Sequence, residues 1–106
     1  MNGYRRNMHK IENFGLIDFI PQKIIQIGTP YKYFQNNTVV CLEIENTIIE
    51  TGDYFAYVKN ERWHKVRIIS IEQEKKQINE TFNGSYGFRL EEAVPKEELF
   101  LYRNDY

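Results

Sequence analysis

Between Val39 and Glu45 the chain alternates strictly, with Val40, Leu42 and Ile44 in one phase and Cys41, Glu43 and Glu45 in the other. A period of two places successive side chains on opposite faces of a pleated strand, so one face of this segment must be covered and the other wetted. The next segment begins at Gly52-Asp53. Glycine reaches φ > 0 at little steric cost and an aspartate bonds nearby backbone amides, so the pair predicts a corner. Beyond it Tyr54, Ala56 and Val58 alternate with Phe55 and Tyr57, which makes this strand apolar on both faces and places it inside a sheet rather than at its edge.

The same reading extends along the chain. Asn60-Glu61-Arg62 supplies polar turn residues, and Trp63 to Glu72 reads as a long strand. Val66 and Ile68 hold one phase of it while Ile69 and Ile71 hold the other, so a bulge or bend near Ser70 is expected. Gln77 to Phe82 alternates again, and Asn83-Gly84 predicts a type I′ hairpin because both central positions of that turn need φ > 0. Tyr86, Phe88 and Leu90 share a face, and a last strand over residues 98–102 follows a charged connector interrupted by Pro95. Upstream, residues 23–27 and 31–34 read as extended, with Asn36-Asn37 turning the chain. These short strands predict an all-β protein, a small six- to seven-stranded antiparallel barrel over residues 22–106. An irregular N-terminal arm over residues 1–21 is expected to pack on or near it.

A chain of 106 residues has room for one core. Its 15% aromatic content, mostly Tyr and Phe, suits half-buried pleated surfaces. The net charge of −1 gives no long-range pull toward polyanions, so nucleic acid would have to meet a local patch. The single cysteine excludes an internal disulfide, and no apolar run approaches the ~20 residues a membrane helix needs. The opening MNGYRRNMHKIENF lacks the apolar stretch of a secretory signal, so a cytoplasmic protein without a membrane partner is expected.

From Ile27 to Tyr102 the chain resembles the second-domain β-barrel of translational GTPases of the elongation factor Tu type, and the short stand-alone proteins similar to it. The resemblance is carried by IGTPYKYFQNNTVVCLEIENTIIETGDYFAY, with Tyr33-Phe34, Glu43, Ile48 and Gly52-Asp53, and by KVRIISIEQEKKQINETFNGSYGFRL, with Gly84 and Gly87 flanking a turn. It implies a barrel closed at the Gly52-Asp53 corner and a partner that is RNA or a component of the translation machinery. No phosphate-binding G-x-x-x-x-G-K-[ST] loop is present, so GTP binding is not expected.

Residues able to do chemistry are few. Cys41 is the only thiol and His9 and His64 the only imidazoles; Cys41 reads as a buried small hydrophobe and His64 as a strand-edge residue. Glu43, Glu45, Glu72 and Glu74 fall where a solvated outer face is expected. No catalytic residue, metal or cofactor is assigned. The run KNERWHKVR gathers Lys59, Arg62, Trp63, His64, Lys65 and Arg67 around a hairpin tip, mixing charge with a large flat ring. Such a patch holds phosphates and stacks bases, or anchors a protein interface through Trp63 and Arg62; the alternative is a soluble hairpin with Trp63 covering the barrel. Arg5 and Arg6, with His9 and Lys10, form a second basic cluster. A non-catalytic binding module is therefore expected, with RNA or a translation component as partner, or alternatively a protein-only binder such as an immunity protein or small inhibitor.

Overall fold

A computed structural model describes residues 24–103 of the chain. The expected arm over residues 1–21, with Arg5 and Arg6, lies outside the described residues. The rest is all-β and antiparallel: β1 (Ile24–Gly28), β2 (Lys32–Phe34), β3 (Val39–Ile44), β4 (Tyr54–Lys59), β5 (Arg62–Gln73), β6 (Lys76–Ile78), β7 (Gly84–Leu90) and β8 (Leu99–Tyr102). Seven strands follow one path, β1-β8-β4-β5-β7-β3-β2, and β6 joins β5 beside it. The sheet curls until β1 approaches β3, giving a half-closed barrel whose seam carries no ladder among the described residues.

Alternation sets the inside. Val40, Leu42 and Ile44 of β3, Phe55 and Tyr57 of β4, Val66, Ile68 and Ile71 of β5, Tyr86, Phe88 and Leu90 of β7, and Leu99 and Leu101 of β8 converge on one core. Phe55 and Phe88 meet edge to face at its centre, with ring centroids 5.1 Å apart. As its two apolar faces require, β4 is interior, flanked by β8 and β5.

The expected bulge lies on Ile69. Ile68 pairs with Leu90 and Ser70 with Arg89, so Ile69 is the surplus residue and points outward. Ile69 and Ile71 therefore do not share a face: the extra residue resets the phase and returns Ile71 to the core.

The corner is built as its residues dictate. Gly52 has φ 99°. Asp53 Oδ2 accepts from the Glu50 amide at 2.8 Å, while the Asp53 amide donates to the Glu50 carbonyl at 2.9 Å. Gly52 and Asp53 then trade backbone bonds with Ile68, which fixes the corner against β5.

Two turns differ from expectation. Asn83-Gly84 is not a hairpin: Asn83 does not take positive φ, Gly84 opens β7 with φ 128°, and Gly84 and Gly87 both lie within that strand. Residues 79–83 instead zip against residues 46–51 through Thr47–Phe82, Ile49–Thr81 and Thr51–Asn79 backbone bonds, with Asn83 Oδ1 accepting from the Asn46 amide at 2.7 Å. These long-range bonds outweigh the local turn preference. The tight hairpins fall at Asn60-Glu61 (φ 56° and 63°) and Glu74-Lys75 (φ 52° and 68°), where both central residues are left-handed without any glycine. Pairing of Lys59 with Arg62 puts Arg62 in β5 rather than in the turn.

Candidate nucleic-acid interface

The β4–β5 register decides which side chains of the predicted patch meet. Phe55 pairs with Val66 on the core side, so Tyr57–His64 and Lys59–Arg62 continue that phase toward the hairpin tip. Tyr54–Arg67, Ala56–Lys65 and Val58–Trp63 occupy the outer phase. The six residues are therefore divided: Trp63, Lys65 and Arg67 stand together on the outer face, whereas Lys59, Arg62 and His64 belong to the other side of the ribbon. Adjacency in sequence brought them within nine positions, but alternation sends neighbours to opposite faces.

His64 stacks on Tyr57, with ring centroids 5.3 Å apart and planes 13° from parallel. Burial, and secondarily the Glu92 carboxylate, push the Tyr57 hydroxyl above its ordinary range, so this side of the ribbon ends the core.

On the outer face, β8 adds residues that the sequence did not connect with the patch. Tyr102 pairs with Tyr54 and Phe100 with Ala56, which sets Tyr102 and Phe100 beside Tyr54, Lys65 and Trp63. Trp63 and Phe100 meet edge to face at 5.5 Å, and Tyr54 and Tyr102 at 6.3 Å. The Lys65 ammonium lies 5.0 Å from the Tyr54 ring centre and 5.4 Å from that of Tyr102. The result is a half-exposed aromatic surface with a cation set into it and Arg67 beside it. Tyr54 shares the face of Trp63 through the β4–β5 hairpin register, and only the β4–β8 pairing brings Phe100 and Tyr102 onto it.

A concavity opens on the outer face of β3, β7 and β5, with a volume of about 380 Å³. Phe34, Cys41, Glu72, Gly87 and Arg89 are among its walls. Cys41 is half-buried there and not a core residue, contrary to its reading as a buried hydrophobe. Its thiol is pushed up by burial, against a smaller lowering pull from Lys32. Glu43, Glu45, Glu72 and Glu74 are exposed, as a solvated face requires.

Among the described residues no group of three or more His, Cys, Asp or Glu is placed to hold a metal ion, and no helix is long and apolar enough to cross a membrane. No protein-family model matches the chain, and no curated protein matches it.

Proposed function

We propose that the protein is a non-catalytic binding module whose outer β8–β4–β5 face takes single-stranded nucleic acid, RNA foremost. The observation that carries this reading is the Lys65 ammonium seated between the Tyr54 and Tyr102 rings, beside the Trp63–Phe100 pair. Flat rings stack bases of any sequence, and each stacked base contributes about 1–3 kcal/mol. Lys65 and Arg67, on the same face, supply charge for the phosphates of such a strand, and this local charge does not need the near-neutral whole molecule to attract a polyanion. The resemblance to the translation-factor barrel points to a cytoplasmic RNA or translation-machinery component as the natural partner, with no part for GTP.

Trp63 is the only tryptophan, so its fluorescence reports this face alone. Titrating the full chain with a single-stranded RNA oligomer should quench that emission saturably. If Lys65, Arg67 and one further cation each neutralise a phosphate, the affinity should fall roughly tenfold or more between about 50 and 200 mM salt. No quenching at the lower salt would refute the reading. A partner captured from cytoplasm after nuclease treatment, with binding that ignores salt, would replace it with a protein interface.

A further inference from the structure

Gly87 occupies the interior of β7, flanked in unbroken register by Cys41 of β3 and Glu72 of β5. Glycine weakens a strand interior, where it commonly marks a bulge, a bend or the close approach of a ligand or another backbone. No bulge lies here, the residue does not take a left-handed φ, and a Cβ added to it would meet nothing within 4 Å. Neither the backbone nor the packing requires glycine at this place. What its bare surface leaves is the floor of the groove of about 380 Å³ on the outer face.

The walls specify what such a floor can take. Phe34, exposed by 47%, supplies an apolar side. Arg89 pairs with Ser70, two residues before Glu72 on β5, so Arg89 and Glu72 occupy a cross-strand diagonal whose residues are about 7–8 Å apart, within reach of two long side chains. Arg89 donates to Gln35 at 3.2 Å, and among the described residues neither Arg89 nor Glu72 has an ion-pair partner. Glu72 presents a carboxylate and Arg89 a guanidinium, with the Lys32 ammonium 5.9 Å from the Phe34 ring beside them, so the groove offers both signs of charge. The charge pattern selects a molecule that carries both.

We propose that this groove binds a small zwitterion of amino-acid type, a free amino acid or a dipeptide with an apolar side chain. Its carboxylate meets Arg89, its ammonium meets Glu72, and its body lies on Gly87 against Phe34. The site is separate from the aromatic face and stands whether or not RNA binds there.

The test is an amide-resolved NMR titration of the full chain with phenylalanine and with glycyl-phenylalanine. Saturable shifts at Cys41, Glu72, Gly87 and Arg89 are expected, and the tighter of the two ligands tells a single amino acid from a peptide. N-acetyl-phenylalanine and phenylalanine amide, each missing one charge, should bind about tenfold more weakly or worse, because each leaves one charged hydrogen bond unmade. Gly87→Val fills the groove with a residue suited to strands, so the spectrum should keep its β dispersion while the ligand shifts disappear. Absent shifts at millimolar ligand, equal binding of the capped compounds, or undiminished binding by Gly87→Val would each overturn the proposal.

Discussion

The Arg103 guanidinium reaches Asp53 Oδ2 at 2.9 Å, tying the residue after the last strand to the corner between β3 and β4. Asp53 is thus shared: the same oxygen accepts from the Glu50 amide within the corner and from Arg103 at the end of the neighbouring strand β8. The two bonds are not equal. The Glu50 bond holds the turn itself, whereas the Arg103 pair is partly wetted, its arginine side chain exposed by 38%. Asp53→Ala should therefore lower stability by about 1–3 kcal/mol, the cost of losing a charged acceptor from a backbone amide. Arg103→Ala removes that exposed pair and a bond to the Ile48 carbonyl, and should cost about 1 kcal/mol. Urea unfolding of both variants checks the order; a larger loss for Arg103→Ala would place the strength of the corner elsewhere.

Thr81 is the only buried polar residue among the described core, exposed by 2%. Its hydroxyl accepts from the Ile49 amide at 3.0 Å and donates to the Thr47 carbonyl at 2.8 Å, bridging the two irregular segments where Asn83-Gly84 does not turn. Thr81→Val keeps the shape and orphans both backbone groups. The expected loss is about 1–3 kcal/mol, while Thr81→Ser keeps both bonds and loses only a methyl group, about 1 kcal/mol. Equal losses in thermal unfolding would show that packing, not the hydroxyl, holds this junction.

Local chemistry made the Gly52-Asp53 corner legible, because the positive φ of Gly52 and the Glu50–Asp53 bonds that shape the turn lie within four positions of the chain, whereas its ties to Ile68 and Arg103 were not. The core was legible for a related reason: alternation assigns faces without knowing partners, and Val40, Leu42, Phe55, Val66 and Phe88 all lie inside. What depends on pairing was not. Asn83-Gly84 has the strongest hairpin chemistry in the chain, yet the ladder between residues 46–51 and 79–83 claims it. The candidate patch was divided for the same reason, since nearness in sequence joined Arg62 and His64 to Trp63 although successive strand residues face apart. Phe100 and Tyr102 were missed because they reach Trp63 and Lys65 only through the β8–β4 register.

The two glycine-free hairpins leave an unused margin of stability. Glu61 and Lys75 take φ of 63° and 68°, a region that costs an ordinary residue roughly 1–2 kcal/mol and glycine almost nothing. Glycine gives back part of that gain through its greater freedom in the unfolded chain. Glu61→Gly and Lys75→Gly should each stabilise the protein by about 0.5 kcal/mol, additively because the turns are separate. Destabilisation by both in denaturant titration would contradict the left-handed assignment of these turns.

Burial raises the pKa of Tyr57, Tyr33 and Cys41, in each case as the largest cause, and so holds back their ionisation. A group whose pKa is higher folded than unfolded favours folding while it stays protonated. That contribution is complete below the unfolded value, 10.0 for the tyrosines and 9.0 for the thiol, and is lost as pH climbs through the folded value. Stability should thus decline on the alkaline side, and Tyr57→Phe should flatten part of the decline above pH ~10. Cys41 should also react with iodoacetamide more slowly at neutral pH than a free thiol, its rate rising at a pH above the midpoint of an unstructured cysteine. Rapid alkylation at pH 7 would mean that the thiol is activated, and would reopen the question of covalent chemistry.

The division of the basic residues yields a test that separates a face from a mere concentration of charge. Lys65 and Arg67 share the outer surface with Trp63, Tyr54 and Phe100, while Arg62 pairs with Lys59 on the opposite side of the ribbon. If nucleic acid tracks the aromatic face, Lys65→Glu and Arg67→Glu should each weaken RNA binding about tenfold at low salt and reduce the salt slope, irrespective of sequence. Arg62→Glu makes the same change in net charge on the far side and should cost a few-fold at most, through the long-range field alone. Trp63→Phe should retain most of the affinity and Trp63→Ala should lose about 1–3 kcal/mol, the signature of a stacking surface. Filter binding of one labelled oligomer to all five variants gives the comparison directly. Equal losses for Arg62→Glu and Lys65→Glu would reduce the interface to undirected attraction by a charged hairpin.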